Sequence, residues 1–351
     1  MSVRYHPVGW NRNKIIYDLV LLCAVAGYIL LFLKIAPSFQ DVTRPFSGAI
    51  LRGQAFGTCT FLLLTIILCI GPLARLDPRF LPLLYNRRHF GVLTCALAFT
   101  HASHMVSIYF SFSPLNKYAA VLASNTSYGQ ILGFPFESFG IFALFVLLVM
   151  AVTSHDFWLS FLTPPMWKAI HMSVYLAYVA VVLHVALGYL QSAQNPLFAV
   201  IVAIGAVSVA ALHFVAGRIE RSKDQDYPEP AEEAPWIVVG RAESIPEDRA
   251  IIVAVEGGER VAIFRYDGKL SAVANVCAHQ NGPLGEGRIL FGCITCPWHG
   301  FQYRPEDGCA PPPFTEKIAT YQLKLVGDQI LLDPRPNAPG TPVEPLQYAK
   351  A

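Results

Sequence analysis

The 351-residue chain is 54% hydrophobic and 14% charged, with a mean hydropathy of +0.44. A chain this apolar can bury enough surface to exclude disorder, and soluble domains carry about a quarter charged residues, so an ordinary soluble protein is disfavoured. The net charge of +2 offers no basic footprint for a nucleic-acid partner, and eight cysteines are too few for a disulfide scaffold.

Six apolar runs fall near residues 15–36, 56–74, 89–110, 136–154, 168–190 and 196–216. Each approaches the ~20 residues that carry a helix across the hydrocarbon layer, and a backbone in lipid must satisfy its own polar groups, which favours helices. The first run is longer than a signal-peptide core and five more follow, so it reads as a retained helix. Asp18 within it reads as an interfacial or satisfied carboxylate. Basic residues cluster before run one (Arg4, Arg12, Lys14), between runs two and three (Arg75, Arg79, Arg87, Arg88), before run five (Lys168) and after run six (Arg218, Arg221, Lys223). By the positive-inside rule, the N-terminus and everything after residue 217 are expected in the cytoplasm. The chain is then an integral plasma (inner) membrane protein with six spans. No internal repeat is apparent.

Residues 222–235 are polar, acidic and proline-containing, the composition of a linker. Beyond them lie short β-rich runs near 236–239, 251–255, 261–266, 270–273, 321–325 and 329–332. Gly257-Gly258, Asp267-Gly268 and Gly327-Asp328 are the turn signals between them. The expected fold class is multi-domain. A six-helix transmembrane bundle over 1–220 precedes a linker at 221–235, a small all-β domain over 236–336 and an extended Pro-rich tail over 337–351.

The β domain holds Cys277-Ala-His279 and, sixteen residues after that histidine, Cys296-Pro-Trp-His299. Each half offers one thiolate and one imidazole from a tight loop. That is the donor set of a [2Fe–2S] cluster with two sulfur ligands on one iron and two nitrogens on the other. A zinc site is the alternative, but the C-x-H … C-x2-H order differs from zinc-finger spacing. Order and spacing resemble the Rieske family over about 236–336. The resemblance implies Cys277 and Cys296 on one iron, His279 and His299 on the other, and a proline-containing loop at Cys309-Ala-Pro-Pro-Pro313 over the cluster. It also marks departures. Gly282 and Trp298 stand where respiratory Rieske proteins pair two further cysteines, and Phe301 stands where they have a serine, while Tyr303 is kept. Fewer hydrogen bonds to the sulfurs imply a ferredoxin-like domain toward the lower part of the family's potential range. Cys293 and Cys309 are expected to be free thiols.

The apolar half contains His89, His101, His104, His155, His171, His184 and His213. Ionisable residues at membrane depth are costly and are functional candidates. His89 and His101 are twelve residues apart on run three, and His171 and His184 are thirteen apart on run five, roughly 18 and 20 Å along helices of the same direction. His101 and His184 then share an outer level and His89 and His171 an inner one, as axial ligation of haem between two helices requires. Thirteen residues also turn an ideal helix by roughly 140°, so spacing alone does not align His171 with His184.

The segments Gly71-Pro-Leu-Ala-Arg75, Arg87-Arg88 ahead of His101, Trp167-Lys-Ala-Ile-His171, Val174-Tyr175-Leu176 and His184 resemble the ferric-reductase-like membrane domain over about 50–190. The similarity is greatest to the haem-binding membrane subunit of the bacterial methionine sulfoxide reductase system. It implies haem b, in one or two copies, held by His101, His171 and His184. His89 has no counterpart in that subunit, and haem ligation and interfacial placement both stand for it. His104 is a spare ligand or a structural residue, and His155 and His213 read as loop or packing residues. Arg87 and Arg88 are positive-inside anchors or contacts to an anionic cofactor group.

Together these features point to a membrane-bound electron-transfer oxidoreductase. Single electrons would pass between a cytoplasmic Rieske cluster and haem b, toward an acceptor at the opposite face. No G-x-G-x-x-G unit is present, so a separate cytoplasmic protein is the expected electron donor or acceptor. One alternative is a quinol-oxidising cytochrome b that takes a quinone from the bilayer and delivers through the Rieske domain. A redox sensor without turnover is another. A Rieske oxygenase is disfavoured, because little chain follows the β domain to form a mononuclear iron site.

Overall fold

A computed structural model describes residues 12–38, 45–84, 86–109, 113–155, 164–193, 196–225, 235–256, 259–279, 281–298 and 300–348, together with 158, 162 and 228. The chain divides into two compact units, Trp10–Phe214 and Val215–Ala351.

The first unit is helical. Its elements are α1 (Arg12–Ile35), α2 (Pro45–Leu76), α3 (Leu81–Leu84), α4 (Arg87–Tyr109), α5 (Lys117–Ala123), α6 (Glu137–Thr153), α7 (Pro164–Met172), α8 (Val174–Leu187), α9 (Tyr189–Ser192) and the start of α10 (Leu197–Gln225). Among the described residues, five stretches are long and apolar enough to cross a membrane: Lys14–Ser38, Gly48–Leu76, Arg87–Ile108, Met166–Gln191 and Leu197–Ser222. Their outer faces carry exposed Val20, Leu30, Leu176, Val207 and Phe214, side chains that lipid would cover. The fourth expected run forms α6, an apolar helix of 17 residues. At 1.5 Å per residue it is about 26 Å long, short of a ~30 Å hydrocarbon layer, so length alone supports five spans where six were expected. Pro135 precedes the helix, and the Ser154 N–H closes it on Met150 O at 3.0 Å.

Run five is interrupted. Ser173 separates α7 from α8, and its hydroxyl donates to Ile170 O at 2.5 Å. The straight-helix rotation between His171 and His184 therefore does not apply.

The centre of the bundle is α2. One side packs Phe61, Leu64 and Leu68 against Cys95, Leu147, Tyr178 and Val202. The other packs Cys59, Leu63 and Ile70 against Val25, Phe90 and Leu97. Thr65 and Tyr178 share a buried hydroxyl–hydroxyl bond of 2.9 Å. Asp18 is satisfied from α4 and its approach: Asn86 Nδ2 donates to one carboxylate oxygen, and His89 Nδ1 lies 2.7 Å from the other.

In the second unit α10 continues to Gln225, so residues 222–225 of the expected linker are helical. Most of 226–234 lies outside the described residues. Eleven strands follow among those described: β1 (Ile237–Arg241), β2 (Arg249–Val255), β3 (Glu259–Tyr266), β4 (Lys269–Ala274), β5 (Arg288–Leu290), β6 (Cys293–Thr295), β7 (Gln302–Tyr303), β8 (Thr320–Tyr321), β9 (Leu323–Val326), β10 (Gln329–Leu332) and β11 (Leu346–Gln347). They form three antiparallel sheets, β1-β10-β9, β11-β4-β3-β2 with β8 on β4, and β5-β6-β7. Strand β3 is covered on both faces. Its alternation sends Val261 and Ile263 into one core with Leu270, Ile330 and Leu332. Ala262 and Phe264 enter a second core with Leu284, Ile294, Cys277 and Cys296.

Asp267 (φ 46°) and Gly268 (φ 69°) make the expected β3–β4 turn with two left-handed residues. The tail does not stand away from the domain. Asn337 N–H donates to Thr320 O, Val343 N–H to Glu306 O, and β11 pairs with β4.

Candidate redox centres

The Cys277 and Cys296 loops share one backbone design. Cys277 N–H donates to Gly282 O at 2.9 Å and Cys277 O accepts from Asn281 N–H at 2.7 Å. Cys296 N–H donates to Phe301 O at 2.8 Å and Cys296 O accepts from Gly300 N–H at 3.0 Å. In both loops the fourth residue after the cysteine is left-handed, Asn281 at φ 58° and Gly300 at φ 73°. Only Gly, or a short polar residue such as Asn, holds that conformation cheaply, which explains both residue types. Each loop is thus closed on its own cysteine, which fixes the backbone that carries the thiol.

The two loops also meet. A Cβ on Gly282 would lie 2.7 Å from Cys296 Sγ and 3.2 Å from the Trp298 ring. Cys277 and Cys296 are each 1% exposed. His279 Nδ1 is shielded from solvent, and its ring stacks on Phe301 at 4.7 Å and 6°. Phe314, from the proline-containing loop, abuts the same Phe301 ring at 5.0 Å. Phe301 therefore orients the His279 imidazole, a role the absent serine hydroxyl does not suggest. His299 lies outside the described residues, and among those described no three metal-ligating side chains form a ready-made group. Two shielded thiols and an imidazole on facing loops nonetheless suit a mixed sulfur–nitrogen cluster.

Tyr303 is fully buried beside these loops. His279 N–H donates to its oxygen at 3.3 Å, which leaves the phenol proton for Cys277 Sγ, also at 3.3 Å. Burial, and then the neighbouring Cys277 thiol, push the phenol's pKa upward, so it stays a proton donor. Replacing it in Tyr303→Phe is expected to lower the cluster's midpoint potential by roughly 30–60 mV, the equivalent of about 0.7–1.4 kcal/mol for one electron. Spectroelectrochemistry on the purified chain measures this, and an unchanged potential rejects the bond.

None of the eight cysteines forms a disulfide, Cys293 and Cys309 included. Cys293 is fully buried on β6, and burial pushes its thiol up to about 11. The thiolate that reacts is then scarce at pH 8, so iodoacetamide should spare Cys293 in the folded protein and modify it after denaturation, as read by mass spectrometry.

In the helical unit, His101 on α4 and His184 on α8 face one another with ring centroids 6.4 Å apart and planes at 84°. His101 Nδ1 lies 2.8 Å from Gly53 O, and His184 Nδ1 lies 3.0 Å from Phe136 O. A carbonyl only accepts, so both protons sit on Nδ1 and both Nε2 lone pairs are left for a ligand. Two imidazoles sharing one metal at about 2.0–2.1 Å per nitrogen hold their ring centres roughly 6 Å apart. The pair would suit holding a single haem, which would supply one-electron chemistry.

The inner level is built differently. His171 stacks on Trp167 at 3.7 Å, and its Nε2 lies 3.2 Å from Thr153 Oγ1. That hydroxyl already donates to Val149 O, so His171 Nε2 is the donor and carries its proton. His89 turns to Asp18 on α1. His104 stacks on Phe56 at 5.5 Å. His213 Nδ1 donates to Val209 O, and its Nε2 accepts from Tyr175 OH at 2.8 Å. The carbonyls of Gly53 and Phe136 and the Asp18–His89 pair carry no local sequence signal, since each partner is dozens of residues away.

Two family models match the chain, a Rieske [2Fe-2S] domain over residues 235–322 and a ferric reductase like transmembrane component over 56–182. The anthranilate 1,2-dioxygenase ferredoxin subunit of Burkholderia cepacia is 31% identical over 100 residues, covering 28% of this chain and 90% of that protein. A cholesterol 7-desaturase of Xenopus laevis is 39% identical over 67 residues, 18% of this chain, and the chain spans only 15% of that protein's length. A solved complex of reduced oxygenase and oxidized ferredoxin in carbazole 1,9a-dioxygenase is matched at 20% identity, over 30% of this chain and 99% of that one, with a TM-score of 0.28. The chain belongs to the Rieske [2Fe–2S] family, as a membrane electron-transfer protein in which that domain follows a ferric reductase like transmembrane component.

Proposed function

We propose that this protein moves single electrons between a cytoplasmic Rieske cluster and one haem b inside the helical bundle, toward an acceptor at the opposite face. Cys277, Cys296, His279 and His299 hold the cluster, and His101 and His184 hold the haem. When bound, both groups supply one-electron chemistry. The observation that carries the reading is the facing His101–His184 pair, with both Nδ1 protons committed to carbonyls. His171 lines the inner level rather than ligating, because its Nε2 proton is committed to Thr153.

The reading includes six crossings. Helix α6 packs its Ala143 and Val146 against Ala177 and Ala180 of α8, the small-residue contact common between membrane helices. Its shortfall in length costs only fractions of a kcal/mol per Å of mismatch. Six crossings would return the chain to its starting side, and the basic residues at 218–223 support a cytoplasmic side in a plasma (inner) membrane protein. Relatives named as ferredoxin components favour a cluster that exchanges electrons with a separate soluble protein.

Quinol oxidation is a second reading, favoured by the Asp18–His89 pair, a carboxylate–imidazole contact between two membrane helices. Purified full-length protein should contain about one haem and about two non-haem irons, with a rhombic reduced-cluster EPR signal. Protein with iron but no haem overturns the first reading. Haem reduction by added quinol under anaerobic conditions favours the second.

A further inference from the structure

The two facing histidines share more than their distance. Each Nδ1 bonds to a carbonyl 48 residues earlier in the chain, Gly53 O for His101 and Phe136 O for His184. Each ring also lies against a helical glycine 44 residues earlier, Gly57 or Gly140. A Cβ on Gly57 would come within 2.7 Å of His101 Nδ1, and one on Gly140 within 2.8 Å of His184 Nδ1. Phe56-Gly57 and Phe139-Gly140 are the same dipeptide, and every one of these correspondences has the same offset of 83 residues.

The offset extends beyond the site. The buried residues of α6 are Ala143, Val146, Leu147 and Thr153, and those of α8 are Ala177, Tyr178 and Ala180. Their counterparts 83 residues earlier are Thr60, Leu63, Leu64, Ile70, Thr94, Cys95 and Leu97, and all seven are buried. Gln54 and Glu137 correspond as well, and each keeps one buried side-chain oxygen, Oε1 and Oε2, without a hydrogen-bond partner. The α2–α4 and α6–α8 pairs thus repeat one arrangement, although sequence identity between them is slight and the chain shows no repeat to the eye.

We infer that the haem site is made of two copies of one half-site, and that Gly57 and Gly140 are paired positioning residues that set the rotation of the two ligating imidazoles. This rests on the haem reading given above. In each half a carbonyl fixes the tautomer, and the glycine one helical turn later admits the ring flat against the helix. Glycine inside a helix is less stable there than alanine. Both half-sites keep it where any larger residue would strike the ring. The outcome of the two cradles is the 84° angle between the imidazole planes.

The test compares Gly57→Ala, Gly140→Ala and Gly48→Ala in the full-length protein. Gly48 is a control on α2, where an added Cβ meets nothing within 4 Å. Haem is counted per Rieske cluster, which corrects for the amount of chain, and low-spin ferric haem EPR reports the angle between ligand planes. Wild-type protein should give the strongly anisotropic signal of near-perpendicular ligands. Gly57→Ala and Gly140→Ala should each reduce that anisotropy and weaken haem binding by about tenfold or more, the usual cost of disturbing the groups behind a metal ligand. Gly48→Ala should match wild type. Wild-type g values and haem content in either site variant overturn the inference, as does an equal loss in Gly48→Ala. Wild-type protein that takes up no haem defeats the underlying haem reading instead.

Discussion

Replacing His184 by alanine should strip the haem and leave the Rieske cluster untouched. His184 contributes one of two facing imidazoles, and its orientation comes from Phe136 O and from the space left by Gly140. Disturbing the groups behind a metal ligand already costs about 10–100-fold in affinity, so removing a residue that would itself hold the haem should exceed that range. His101→Ala should have the same effect, because its surroundings match. His171→Ala should retain haem, since its ring is committed to Trp167 and Thr153. Haem is measured as the pyridine haemochrome and the cluster by EPR of the reduced protein. Haem lost from His171→Ala but kept in His184→Ala would reverse the assignment of the ligand level.

The contrast proposed between His184 and His171 draws on what sequence reading does not reach. The resemblance to the membrane domain implies both residues as ligands, and matching depth supports a pair at each level. In the proposed reading, what separates them is long-range. The Thr153 hydroxyl that takes the His171 proton is 18 residues away, and Asp18, which takes His89, is 71 residues away. Helix spacing carries no record of either. The break at Ser173 is equally silent, because no proline or glycine marks it.

The Rieske ligand motif was legible because its chemistry is local. Each cysteine sits three residues or fewer from its histidine, and the turn-forming Asn281 and Gly300 follow at once. The long strands were legible too, since β2, β3 and β4 carry apolar residues that enter the two cores. Strands β5 to β7 went unread for a physical reason. They are two or three residues long, and the β5–β6 turn places Phe291 at φ 53° before Gly292, where a turn signal would show Asn or Asp. Composition gave a Pro-rich, extended tail but no sign of its anchoring, since the backbone is tied to Thr320, Ile318 and Glu306 by hydrogen bonds from residues far apart in sequence.

Cys296→Ser should abolish the cluster while haem remains. A serine oxygen is a harder donor than the thiolate that iron–sulfur clusters use, and the closed loop holds it in the same place. The consequence for the β domain follows from its two cores. Cys277 and Cys296 belong to the core with Phe264, Leu284, Ile294 and Tyr303. Loss of the cluster leaves polar ligands buried there with nothing to bind, so this side should loosen. The other core, with Val261, Ile263, Leu270, Ile330 and Leu332, contains no ligand and should hold. Hydrogen exchange should therefore accelerate across residues 277–303 while β1, β9 and β10 stay protected. The bundle cores draw only on residues before 214, so haem content per chain should match wild type. Uniform loss of protection through both β cores would show instead that the cluster is required for the whole domain to fold.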